Sequence, residues 1–228
     1  MSTLSNPFNI RDLLGSHLST ENLTEYITSL SSIVSTGGTT VPEVKSYPDA
    51  VYLNYFALGL SLLFSPQNGY KPTTGLKLAD LNKDNLFLDS IDIYNIPKRK
   101  SSDSRSKSSS VRSAELAFST HPVSPLRLKL TAEIKDKDDK ILPRPSQIDI
   151  HPHTIGKDFV ECFGEPDRKG GGAGPSSGSI GIWCEWSKDG VMVEFGGDEA
   201  RGPQAWERGK DAVWKVITVF SSKEVDWM

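Results

Sequence analysis

Gly174-Pro175-Ser176-Ser177-Gly178 fits G-x-S-x-G, the sharp strand-to-helix turn that lifts a serine nucleophile above the sheet of an α/β-hydrolase. That chemistry needs a strand entering the turn and a helix leaving it. Here the serines lie in KGGGAGPSSGS with a hairpin strand after them, so the stretch reads as a loop. A phosphate cradle fares no better, because Lys169 precedes the glycines and no Gly-Lys-Ser/Thr opens a helix. His151-Pro152-His153 sets two imidazoles on one side of an extended segment, half of a zinc site. No third or fourth ligand stands close in sequence, and the two histidines read as exposed or hydrogen-bonded. Cys184, in parity with Ile182 and Trp186, reads as a small core residue, and Cys162 falls toward the end of a short helix. Catalytic residues, metal and cofactor are therefore expected to be absent. The alternative is an enzyme using Glu185, Glu194 and His153 in a cleft between the two halves of the chain.

The densest charge is basic. Lys98, Arg99, Lys100, Arg105, Lys107 and Arg112 stand against Asp103 in IPKRKSSDSRSKSSSVRS, where serine replaces almost everything apolar. Such a composition cannot bury a core and reads as a disordered linker over residues 96–113. The chain carries −3 overall and the linker +5, which leaves −8 for the rest. A basic loop on an acidic body can touch an anionic membrane surface at roughly 1 kcal/mol per basic residue. Phosphorylation of its serines would weaken that contact. The global balance makes no case for nucleic acid, and no small-molecule substrate is evident.

Two elements of different kind must position these groups. Leu23, Tyr26, Ile27, Leu30, Ile33 and Val34 recur at helical spacing, which predicts a helix over 19–36 with Ser19 or Thr20 as cap and Gly37-Gly38 as stop. After Pro42 the pattern becomes β-rich, with strands expected at Val51–Ala57, Leu60–Phe64, Ser90–Tyr94, Leu126–Ile134, on both sides of Gly190 and at WKVITVF, and a short helix over Ile155–Phe163. Trp214-Lys215-Val216-Ile217 also has the spacing of a linear motif that adds a strand to an autophagy modifier, but the same residues serve as a sheet strand. The longest apolar run, Phe56 to Phe64, is interrupted by Gly59 and Ser61. It is about half the ~20 residues a helical membrane span needs. The start MSTLSNPFNI has no basic segment followed by an apolar run, and only two cysteines are present. Both features suggest a reduced, cytoplasmic setting.

An internal echo organises the chain. YLNYFALG-LSLLF and IWCEWSKDG-VMVEF share the interval from glycine to the closing phenylalanine, 59 to 64 and 190 to 195. Each follows an apolar helical segment and a Pro-acid-x-Lys run, Pro42 to Lys45 and Pro166 to Lys169, and each precedes a further strand. The expectation is an α+β fold: two tandem units, 1–95 and 114–228, each a helix with an antiparallel hairpin and third strand, sharing a curved sheet with the helices on one face. The other face would carry Tyr52, Asn54, Phe56, Ser61 and Leu63 from the first unit and Trp183, Glu185, Met192 and Glu194 from the second. This arrangement resembles the tandem repeats of the β-lactamase-inhibitor-protein-like architecture, in which such a face binds another protein.

Asn54-Tyr55-Phe56-Ala57-Leu58-Gly59 with Leu62-Leu63-Phe64 resembles, more specifically, the NYFTLG and ILF segments of the phagosome assembly factor family of autophagy-associated proteins. The resemblance implies a non-enzymatic scaffold that joins a protein partner, associates with phosphoinositide-bearing membrane and works at autophagosome formation sites. It covers about a quarter of the chain, and the Asn-Tyr-Pro-Gly-His segment that follows the hairpin in the family is missing. On the open sheet face Tyr52, Asn54, Phe56, Trp183, Glu185, Met192 and Glu194 are expected to contact the partner, and in the basic loop Lys98, Arg99, Lys100, Arg105 and Lys107 to contact the membrane.

Overall fold

The structure, a computed structural model, describes residues 9–34, 41–96, 117–130, 133–135, 140–172 and 181–222. The first regular helix, α1, spans Glu21–Val34 and buries Leu23, Tyr26, Ile27 and Leu30 on one face. The Thr20 carbonyl accepts its first N–H, whereas the Ser19 hydroxyl turns away to donate to Asp84 Oδ1 at 2.6 Å. Ile33 and Val34, expected in the apolar stripe, are exposed. They lie in the last turn of the helix.

Eight antiparallel strands form the main sheet, and they are ordered β1-β2-β3-β4-β12-β11-β10-β9. β1 is Glu43–Tyr47, β2 Ala50–Tyr55, β3 Leu60–Pro66 and β4 Leu86–Tyr94. β9 is Arg168–Gly170, β10 Trp183–Trp186, β11 Val191–Phe195 and β12 Trp214–Phe220. The first and last four strands thus lie side by side, joined where Ile91 and Ile93 of β4 oppose Val219 and Ile217 of β12. The α+β class is as expected. Each half carries one strand more than the sequence suggests, because β1 and β9 grow from the Pro-acid-x-Lys runs. Both are edge strands, and β1 buries only Ser46, so neither displays the apolar alternation that announces a half-buried strand.

The two hairpin turns have the same backbone. Phe56–Leu58 and Ser187–Asp189 each form one 3-10 turn, closed by Gly59 at φ 56°, ψ 43° and by Gly190 at φ 58°, ψ 43°. Both glycines are left-handed, and a Cβ would overlap Ser119 O at Gly59 and Phe220 O at Gly190. The strand expected to run to Ala57 therefore stops at Tyr55, and Ala57 belongs to the turn.

One sheet face is buried. It presents Val51, Leu53, Leu60, Leu62, Phe64, Ile91, Ile93, Ile217, Val219, Val191, Val193, Phe195, Cys184 and Trp186, all in one hydrophobic cluster with α1. The second helix, α2, spans Gly156–Phe163, and its Phe163 packs 5.0 Å from the Trp186 ring while Phe159 meets Phe195 edge-on at 5.8 Å. Trp186 Nε1 donates to Gly164 O at 2.9 Å and ties the helix end to the hairpin. The expected strand Leu126–Ile134 is broken. β5, Leu126–Lys129, pairs with β8, Gln147–Ile150, and a separate pair joins β6, Ile134–Lys135, to β7, Ile141–Leu142. Leu126, Leu128, Ile148 and Ile150 add to the same core. A one-turn helix, α3, Ala205–Arg208, occupies the insertion GPQAWERG. No helix among the described residues is long and apolar enough to cross a membrane.

Candidate functional site

The other sheet face is built by strand register into rows. The central row runs through Glu43, Asn54, Ser61, Asp92, Thr218, Met192, Glu185 and Arg168, one residue from each of the eight strands. Cross-strand neighbours on one face sit close enough to interact. Ser61 Oγ donates to Asn54 Oδ1 at 2.8 Å, Asn54 Nδ2 to Glu43 Oε2 at 3.2 Å, and Thr218 Oγ1 to Asp92 Oδ1 at 2.8 Å. The flanking rows hold Lys45, Tyr52, Leu63, Ser90 and Phe220 on one side, and Tyr94, Val216, Glu194 and Trp183 on the other.

Two connected hollows lie over these rows. The larger, ≈ 830 Å³, is lined by Tyr47, Tyr52, Phe56, Asp92, Tyr94 and Phe118 among others, and the smaller, ≈ 310 Å³, by Leu63, Met192, Glu194, Val216 and Thr218. Tyr52, Asp92 and Tyr94 line both. Phe118 returns from the far end of the basic segment to stack flat on Tyr94 at 3.8 Å and to meet Phe56 edge-on at 4.7 Å. Ser119 N–H donates to Phe56 O and His121 N–H to Tyr94 O, which clamps that return to the turn and the end of β4.

The strands place Tyr52, Leu63, Trp183, Glu185, Met192 and Glu194 on this face, and the turn after β2 adds Phe56, all half-buried. Asn54 and Ser61 share it but are buried and spent on each other. Asp92, Tyr94 and Thr218 were not singled out from sequence, although the alternation in SIDIY places Asp92 and Tyr94 opposite Ile91 and Ile93. Phe118 could not have been found that way, since nothing local brings it to Tyr94. Desolvation between the strands pushes the Asp92 carboxyl above its ordinary range; the Thr218 bond opposes this and the Glu194 charge adds to it. Glu194 is held by Lys215 at 2.6 Å and Glu185 by Arg168 at 3.1 Å.

Other sequence candidates fall elsewhere. His151 and His153 stack at 5.4 Å on the β8–α2 connection and line neither hollow, so His153 is not gathered with Glu185 and Glu194. The His151 carbonyl accepts Trp214 Nε1 at 2.8 Å and the Pro152 carbonyl accepts Asn95 Nδ2 at 2.8 Å, so the main chain of this segment is a tie to β12 and to the end of β4. Among the described residues no three His, Cys, Asp or Glu side chains group as metal ligands. Cys162 and Cys184 are free thiols, and burial pushes Cys184 up to about 11. Lys98, Arg99, Lys100, Arg105 and Lys107, and the G-x-S-x-G serines, lie outside the described residues. Comparison of the chain with protein-family models, curated proteins and solved structures gives no match.

Proposed function

We propose that the chain is a non-enzymatic scaffold built of two tandem four-stranded units, and that it captures a protein partner on the open face of the shared sheet. The observation that carries the reading is that face itself. Among the described residues nothing covers it, and it is hollowed and set with half-buried aromatic side chains at its centre and ion pairs at its ends, the composition of a docking surface with a buried middle and a polar rim. By the family resemblance, the partner belongs to autophagosome formation and the basic segment assists at anionic membrane.

Affinity capture from native extract with the full chain tests the reading. Tyr52→Ala and Trp183→Ala each remove a stoichiometric partner, while Trp206→Ala, which truncates an exposed side chain on the α3 turn, does not. Equal capture by all three variants defeats it. Replacing Lys98, Arg99, Lys100, Arg105 and Lys107 by alanine abolishes co-sedimentation with phosphoinositide vesicles, and raised salt does the same to the unaltered chain.

A further inference from the structure

The carboxylates in the cross-sheet rows are matched, with one exception. Glu43 has Lys45 at 3.4 Å, Glu185 has Arg168 at 3.1 Å and Glu194 has Lys215 at 2.6 Å. Asp92, at the middle of the sheet, has no cation within ion-pair distance among the described residues. Its Oδ1 receives the Thr218 hydroxyl, and its Oδ2 has no donor among the described residues. A carboxylate held between strands with half its acceptor capacity unused is costly unless a cation reaches it. It stands where the two hollows meet, so the approach is from the open face.

We propose that the partner inserts an arginine side chain here, its guanidinium on Asp92 with Tyr52 and Tyr94 flanking it; the proposal rests on the partner-binding reading above. Charge complementarity selects a cation, since the one charge of the rows left unmatched among the described residues is negative. The aromatic walls select arginine over lysine, because a planar guanidinium forks onto a carboxylate and stacks on rings, whereas an ammonium is a compact, strongly hydrated point charge. The Tyr94 ring is held in place by Phe118, which stacks on it at 5°. A groove of ≈ 830 Å³ leading to the carboxylate leaves room for the residues on either side of the arginine.

The test is an NMR titration of the full chain, labelled with ¹⁵N, using N-acetyl-arginine methylamide and its lysine, glutamine and glutamate counterparts. The arginine probe shifts the amides of Ser61, Asp92 and Thr218 saturably, the lysine probe binds at least several-fold more weakly, and the other two do not bind. Asp92→Asn, which keeps an acceptor for Thr218 and stays folded, weakens the arginine probe at least tenfold, while Asp92→Glu retains part of the binding. Arginine shifts that map to another surface, or that persist unchanged in Asp92→Asn, overturn the proposal. Capture of the partner separates the two readings. If Tyr52→Ala and Trp183→Ala lose it but Asp92→Asn keeps it, the face docks a partner without arginine and this inference fails alone. If all three variants keep the partner, the docking reading and this inference fail together, whatever the arginine probe does.

Discussion

Two desolvated groups give the protein opposite responses to pH. His121 donates from Nδ1 to Leu58 O at 3.0 Å, its Nε2 is buried without a partner among the described residues, and desolvation pulls its pKa down to about 4. The native state therefore binds fewer protons than the unfolded chain between the ordinary histidine range and about 4, and stability falls as pH drops through that window. The full shift corresponds to about 3 kcal/mol. Urea midpoints across that window should fall in the unaltered chain and stay nearly flat in His121→Gln. Asp92 works the other way, since a raised carboxyl keeps its proton longer in the native state and stability is lost as pH rises above the ordinary carboxylate range. Asp92→Asn should accordingly raise Tm at neutral pH, and the gain should vanish in acid. A third residue, Asp189, receives both nitrogens of Arg144 at 2.7 and 2.8 Å with side chains only 5% and 8% exposed. Removing one partner of such a buried pair costs about 3–5 kcal/mol, so Asp189→Ala should shift the urea midpoint far more than any exposed pair. Beside it, the Arg11 pKa is lowered first by desolvation, and its Nε and Nη2 have no partner among the described residues. Arg11→Met should leave stability nearly unchanged.

At the scale of elements, the hairpin turns carry the fold. Gly190→Ala forces a side chain into a left-handed position and against Phe220 O, whereas Gly15, also left-handed at φ 76°, has open space around it. A left-handed alanine costs roughly 1–2 kcal/mol, so Gly15→Ala should lose about that much in chemical denaturation and Gly190→Ala measurably more. These turns were legible because a glycine between two alternating apolar runs is a local signal. β1 and β9 were not, since an edge strand buries little and is defined by the neighbour it pairs with. The break of Leu126–Ile134 was equally hidden, because the partner of β5 lies beyond the charged turn, in β8.

For the whole molecule, the six tyrosines all lie before residue 95 and the five tryptophans all lie after residue 182, so each half carries its own probe. One sheet and one hydrophobic cluster span both halves. Tyrosine near-UV signal and tryptophan fluorescence should therefore report the same urea midpoint, and separated midpoints would mean that the β4–β12 junction does not couple the halves. The positions of the two hairpins, the parity that sends Tyr52, Met192 and Trp183 to one face, and the demand for Gly59 and Gly190 were determined by the sequence alone, because alternation and backbone handedness act within a few residues. The adjacency of β4 and β12, the return of Phe118 onto Tyr94, the burial of Asn54 and the isolation of Asp92 among matched charges were decided only by tertiary structure. Each depends on which distant strand lies alongside, and no local pattern encodes that choice.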